Sequence, residues 1–288
     1  MTVSIDEIER ASFFEELAPS LSISSSVAPP NLTLDEIPAW SSGGYARLPR
    51  VVAPELVEPM ANAVTTLVRR GLHPIFAYVY DAFWQPAALL HPFATSVLGP
   101  CDLVRDGWAW LIPAGPGHGG WSPHRDWRNA DHELITVWIA LTEANEDNSC
   151  IFLVPRDRDP ACLSGNLEDD SVSPNEAVSL PAVAGTALSW SQHVLHWGSP
   201  STERARHPRI SFSYSFAAKH TPGRTAIDLG RFDFKDRLDT IAQMITTYTH
   251  QERMPPPLDG WAEMLFKLRS ARGASAWLRK KGPRKELG

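Results

Sequence analysis

The chain has 288 residues, 43% of them apolar and 21% charged, the composition of a globular protein long enough to bury a large core. A net charge of −6 argues against a dedicated nucleic-acid binder. Three cysteines, Cys101, Cys150 and Cys162, show no CxxC spacing, which argues against a disulfide framework and fits a reducing cytoplasm.

The N-terminal segment MTVSIDEIERASFF carries acids early and lacks a basic stretch followed by an apolar one, so no secretory signal is expected. No apolar run reaches the roughly 18 residues that span a bilayer. A short helical pattern covers Ile5 to Leu17, and LSISSSVAPPNLT reads as loop. Tyr45 to Val52 is extended. Pro54 then sits where a first helical residue belongs; Leu56, Met60, Val64 and Leu67 follow at helical spacing, and Gly71 lies past the end. Pro59 falls near the first turn of this amphipathic helix. A second helix is predicted from about Gln85 to Leu98.

After Pro100 the texture becomes β-type. GWAWLI, LITVWIAL, CIFLV, AVSLPAV, TALSW and RISFSYSF are short apolar runs separated by Gly, Pro, Asp and Asn. Seven or eight strands fit between Asp102 and Ala217. Beyond His220 the pattern is helical again, through RLDTIAQMITTYTH and WAEMLFKLRSARGASAWLRKK, before a basic C-terminus that reads as a solvated tail. No phosphate-binding loop occurs; Gly115, Gly117, Gly119 and Gly120 form a hairpin or lid with no helix behind it.

The chemistry concentrates in GGWSPHRDW. His124 and Asp126 are two residues apart, and on extended backbone residues i and i+2 share a face, so an imidazole and a carboxylate can converge on one ion. The second histidine comes from LSWSQHVLHWGSP, which offers His193 and His196. These two are three apart and face opposite sides of a strand. His196 is favoured because the following Trp-Gly-Ser-Pro turn suits a strand end at a barrel mouth. Two histidines and one carboxylate form the facial triad of non-haem iron(II) oxygenases, with positions left open for a co-substrate and O₂. Arg209 opens the strand RISFSYSF, 13 residues after His196. A buried guanidinium there needs an anion, and a dicarboxylate supplies one; Ser211, on the same face, can add a hydroxyl.

These segments resemble the phytanoyl-CoA dioxygenase family of iron(II)/2-oxoglutarate enzymes. The resemblance is carried by YARLPRVVAPELVEPM, PHRD, ITVWIALTEANEDNSCIFLVP and GTALSWSQHVLHWGSPSTERARHPRISFSYSF, roughly residues 44 to 217. It implies a mainly β protein with flanking helices, its core a double-stranded β-helix of the jelly-roll, cupin-like kind. It implies Fe(II) held by His124, Asp126 and His196, with 2-oxoglutarate and O₂ as co-substrates. Arg209 would pair with the far carboxylate of 2-oxoglutarate, helped by Ser211, with Trp138 lining that site. Relatives often carry a polar co-substrate contact on the strand before the His-x-Asp motif; here Trp108 or Trp110 takes its place. Where some relatives have Ser, this chain has Gly198, and Ser199 is the candidate substitute. Asp126 occupies the position that halogenating relatives leave to chloride, so hydroxylation, desaturation, epoxidation or cyclisation is expected.

The expected organisation is a single domain: an N-terminal helical and extended region (1–100), the barrel (101–217) and a helical extension (218–288). The expected partner is a small-molecule substrate, with no nucleic acid and no membrane. Trp84, Trp108, Trp110, Trp121, Trp127 and Trp197 suggest an aromatic pocket. The polar segment from Arg156 to Glu176 is either a lid or a plain surface loop. Two other readings use the same residues: a metal-binding cupin-like protein with an isomerase or sensing role, and a barrel without catalysis.

Overall fold

The alternation in RISFSYSF divides the molecule. In the strand Arg209–Ala218, the large residues Ile210, Phe212, Tyr214 and Phe216 pack into a core shared with the helices. Arg209, Ser211, Ser213 and Ser215 take the opposite, barrel-facing side, as a period of two requires. Both faces are covered, so all ten residues are buried.

The computed structural model describes residues 3–30, 32–34, 40–129, 133–171 and 175–268. In chain order the elements are α1 (Ile5–Ile8), α2 (Ala11–Leu17), β1 (Tyr45–Leu48), α3 (Pro54–Arg69), α4 (Gln85–Leu98), β2 (Cys101–Ile112), β3 (Leu134–Ala140), β4 (Ile151–Val154), α5 (Pro160–Ser164), β5 (Val178–Leu180), β6 (Ala187–Ser191), β7 (Leu195–Gly198), β8 (Arg209–Ala218) and α6 (Phe234–Thr247). Short 3-10 turns cover Pro74–Val79, Asp81–Phe83 and Leu229–Arg231.

The strands form two antiparallel sheets, one in the order β1-β6-β3-β8-β2 and one in the order β5-β4-β7. Together they make the double-stranded β-helix that the resemblance implies. The helix-facing core joins α3, α4, α6 and the Pro74–Val79 turn to the outer face of the larger sheet. A second apolar cluster, including Trp138, Leu153, Leu180, Leu188 and Trp190, packs between the two sheets.

The sequence-based helices hold with two differences. The Ile5–Leu17 pattern is two short helices: Ser4 caps the first with a reciprocal capping box, and a new helix begins after Arg10. Pro54 is at the first helical position as expected, but Pro59 lies inside α3 rather than in its first turn. Its missing N–H therefore removes a bond that the Glu55 carbonyl would otherwise receive.

The N- and C-terminal regions meet around one buried cation. Arg237 of α6 donates to Asp81 Oδ1 at 2.6 Å, to the Val79 carbonyl at 2.7 Å and to the Ser24 carbonyl at 3.2 Å. Residues 258–268 are helical. The remainder of the predicted C-terminal helix and the basic tail lie outside the described residues. Among the described residues no helix is long and apolar enough to cross a membrane.

Candidate metal and co-substrate centre

The backbone brings the two histidines together before any metal is considered. His124 and His196 form an antiparallel bridge, donating to each other's carbonyl at 3.1 and 3.0 Å. His196 is in β7, paired with Leu153; His124 lies in an otherwise irregular segment, not in the regular strand the sequence suggested. One bridge is enough, because it sets the two rings 4.3 Å apart.

Each ring is held through its inner nitrogen. His124 Nδ1 lies 2.7 Å from the Ser122 carbonyl, and His196 Nδ1 lies 3.0 Å from the Val194 carbonyl. An Nδ1–H donating to a carbonyl leaves the Nε2 lone pair free to bind a metal. Both Nε2 atoms face Asp126 Oδ1, at 3.7 Å for His124 and 3.6 Å for His196. The other carboxylate oxygen is engaged: Asp126 Oδ2 accepts from the Thr136 hydroxyl at 2.6 Å and from the Trp190 indole N–H at 3.0 Å. The three candidate ligand atoms all lie within 4.8 Å of one another. One open oxygen and two open nitrogens fit a small divalent cation with vacant positions.

Burial alone would raise the Asp126 carboxyl. The imidazoles of His196 and His124 and the bonds from Thr136 and Trp190 outweigh it and hold the group below the usual carboxylate range. Burial draws the His196 imidazole down to about 4, partly offset by Asp126. Both shifts favour the metal-binding forms, a carboxylate and a neutral imidazole.

His193 does not join this group. Its carbonyl accepts from Arg125, and its side chain is only partly buried on the other side of the turn. His118 is an exposed loop residue, and His132 lies outside the described residues.

Arg209 stands at the far end of the same cavity, which encloses about 520 Å³ with its open mouth included. It is 1% exposed, and its polar partners are hydroxyls: Ser211 Oγ at 2.6 Å and Ser149 Oγ at 3.4 Å. No carboxylate among the described residues pairs with it. Burial draws the guanidinium down to about 9, which still leaves it a cation at neutral pH. Trp110 and Trp138 flank it, their rings 5.8 and 5.4 Å from the guanidinium carbon. Arg209 Nε and both indole N–H groups are buried without an acceptor. A chamber furnished with unpaired donors and one uncompensated cation fits the carboxylate of a dicarboxylate co-substrate. Of the two tryptophans offered for the strand before the motif, Trp110 takes this position; Trp108 instead donates to Glu252 Oε2 at 3.3 Å.

Two glycines make the space. A Cβ on Gly198 would lie 2.6 Å from the Gly120 Cα and 3.2 Å from Arg209 Nη2. The hydroxyl expected from Ser199 comes instead from Ser149, which holds both Arg209 and the Gly120 N–H. Ser149 is fully buried with φ at 72°, an uncommon conformation for a residue with a side chain.

The aromatic pocket is built from a partly different set. Trp108, Trp110, Trp121 and Trp197 line the cavity with Trp138 and Trp190. Trp84 is instead buried in the helix-facing core, and Trp127 is 37% exposed with Arg224 over its ring. Sequence reasoning also missed Thr136, Trp190 and Tyr248. Tyr248, just beyond α6, lines the cavity and donates its phenol to Asp106 Oδ1 at 2.5 Å. Of the segment Arg156–Glu176, residues 156–171 contain α5 and are tied down by Arg125 and Arg128.

A family model described as phytanoyl-CoA dioxygenase (PhyH) matches residues 31–208. No curated protein sequence matches the chain. Among solved structures, the chain is similar to EvdO2 from Micromonospora carbonacea var. aurantiaca, at 19% identity and a TM-score of 0.48, covering 69% of this chain and 96% of that one. It is also similar to AviO1 from Streptomyces viridochromogenes Tue57, at 17% identity and a TM-score of 0.49, covering 68% and 100%. A third is SnoN, described as a non-haem α-ketoglutarate-dependent epimerase from nogalamycin biosynthesis, at 17% identity and a TM-score of 0.46, covering 65% and 82%.

Proposed function

The chain belongs to the phytanoyl-CoA dioxygenase family of iron(II)- and 2-oxoglutarate-dependent oxygenases, and from that premise we propose that it oxidises an unactivated C–H bond of a small-molecule metabolite at an iron held by His124, Asp126 and His196. The observation that carries the ligand assignment is the division of labour at Asp126. One oxygen is bound by Thr136 and Trp190, and the other faces both free Nε2 atoms.

When bound, iron with 2-oxoglutarate and O₂ supplies the oxidising chemistry, releasing succinate and CO₂. The protein's own residues set the geometry. Arg209 and Ser211 grip the far carboxylate of the co-substrate, with the indole N–H groups of Trp110 and Trp138 as further donors beside it. The tryptophan walls keep water from the reacting groups. Asp126 fills a coordination position with its own oxygen, which favours oxygen transfer, desaturation or cyclisation over halogenation.

A second cleft, enclosing about 1290 Å³ with its open mouth included, adjoins the metal cavity and shares Trp110, Gly120 and Trp121 with it. We assign substrate approach to this cleft. Its mixed lining, with Leu72, Leu111 and Leu258 beside His73, Gln251 and Glu252, suits an amphiphilic small molecule. The Arg237 bonds tie the N-terminal region to the C-terminal extension, and Arg105 of β2 donates to Asp236 Oδ1 of α6 at 3.3 Å; together they support reading the three regions of the chain as one folding unit.

The test is anaerobic addition of Fe(II) and then 2-oxoglutarate. A weak visible charge-transfer band, followed in air by succinate release that rises with particular members of a metabolite library, is the expected result. No band and no succinate would overturn the oxygenase reading and leave a metal-binding barrel without this activity.

A further inference from the structure

Arg125 stands between the two candidate ligands of the His-x-Asp motif, and its side chain is wholly buried on the side away from the metal cavity. Its guanidinium joins three segments. Nη1 donates to Asp159 Oδ2 and to the His193 carbonyl, both at 2.6 Å. Nη2 donates to Asp159 Oδ1 at 3.3 Å and to the Asp169 carbonyl at 3.0 Å. Asp159 is itself held in place, because its Oδ1 caps α5 by accepting from the Ala161 N–H at 2.9 Å.

The placement of these bonds gives them their meaning. The motif segment and the turn into β7 are joined by backbone bonds at His124–His196 and again where the Trp127 N–H donates to the Gln192 carbonyl at 3.2 Å. Between these two bonds the chain into β7 makes a turn, closed by the Val194 N–H donating to the Ser191 carbonyl at 3.0 Å. The His193 carbonyl lies in that turn, and the Arg125 guanidinium meets it. One side chain thus ties the turn to the segment that carries His124 and Asp126. It also fastens both to the excursion between β4 and β5.

We propose that Arg125, clasped by Asp159, is a positioning residue for the metal centre. It fixes the spacing of the His124–Asp126 pair against His196, and makes that spacing depend on the docked state of residues 156–171. The proposal rests on the ligand assignment made above.

The test uses the full chain loaded with Co(II), whose visible bands report ligand geometry directly, and the variants Arg125→Gln, Arg125→Lys, Asp159→Asn and Asp159→Glu. Loss of groups that orient metal ligands typically costs about 10- to 100-fold in metal affinity. Arg125→Gln and Asp159→Asn should each weaken Co(II) binding by about 10-fold or more and alter the bands. Arg125→Lys, able to reach one partner but not both, should fall between them and the parent. Trypsin cleavage within 156–171 should rise in parallel. Faster cleavage with unchanged Co(II) affinity and bands would overturn the proposal, leaving Arg125 a loop fastener only; so would no change in either. If Arg125→Gln does not fold, the two Asp159 variants decide by the same criteria. Failure of the underlying assignment looks different: the parent would bind no Co(II), or His124→Ala would bind it as the parent does.

Discussion

His124 and His196 exchange both of their backbone hydrogen bonds, at 3.1 and 3.0 Å, so the two imidazoles are paired by main chain rather than by the metal they face. Removing a ring leaves that bridge intact. His124→Ala and His196→Ala should therefore fold and lose metal. Loss of a ligand should exceed the roughly 100-fold upper range for an orienting group. His193→Ala should bind Fe(II) as the parent does, since it is the His193 carbonyl that meets Arg125, while its ring contacts Gln192 and none of the candidate ligands. Calorimetric titration under anaerobic conditions reads all three.

Trp190 reaches Asp126 from a different strand, with its indole N–H 3.0 Å from Oδ2. A hydrogen bond to a charged acceptor contributes about 1.5–3 kcal/mol. Trp190→Phe keeps the ring and removes the donor, so the carboxylate is freer to rotate. Fe(II) affinity should fall by about 10-fold or more, with Thr136→Val giving a similar loss.

Arg209 offers a test with two opposite signs. Without co-substrate it is a buried cation lacking a carboxylate partner among the described residues, so Arg209→Met should raise the Tm of the unliganded protein. With co-substrate the same change removes a buried charge pair, which costs about 2–5 kcal/mol, or roughly 30-fold and more in 2-oxoglutarate affinity. Metal affinity should stay as it was. Thermal melts with and without 2-oxoglutarate show whether stability and binding part in this way.

The Arg125–Asp159 pair predicts a pH dependence. Burial would raise the Asp159 carboxyl, but the hydrogen bonds and charge of Arg125 hold it below its ordinary value. Its folded-state pKa is thus lower than the unfolded value of about 3.9. The stability it contributes is present above that unfolded value and is lost as pH falls through the folded one. Urea unfolding of the parent and of Asp159→Asn should show a clear gap at neutral pH that closes toward pH ~3.

Periodicity made the frame legible. Pro54 and Gly71 bracket α3, and α4 runs Gln85–Leu98 as read, because both helices bury one face and carry local end signals. The pairing of His124 with Asp126, and of Arg209 with Ser211, was equally readable, since residues two apart on extended backbone share a side. What was not readable lies across long separations. Trp190 is 64 residues from the carboxylate it holds, and Asp159 is 34 from Arg125. No local pattern encodes such a pair. Ser149 was missed because its role depends on a left-handed backbone that only the folded turn imposes. Trp84 and Trp127 were misplaced because a tryptophan in sequence does not say which side of the sheet it will occupy. Tyr248 sits past the family-matched segment, where nothing local distinguishes it from a helix-end aromatic.

The alternation in β8 has a consequence for how such a protein can change. Ile210, Phe212, Tyr214 and Phe216 are locked into the helix-facing core, whereas Ser213 and Ser215 line the cavity from the same strand. Every second position is therefore constrained by packing; of the alternate ones, Arg209 and Ser211 are assigned to the co-substrate, which leaves Ser213 and Ser215. Enlarging or recharging those serines would reshape the chamber while leaving the core-facing side chains in place, at the cost of the bond that the Trp108 N–H makes to Ser213 Oγ at 3.2 Å. The strand behaves as a fixed frame with exchangeable tiles, and a lineage can acquire new substrates by replacing tiles alone.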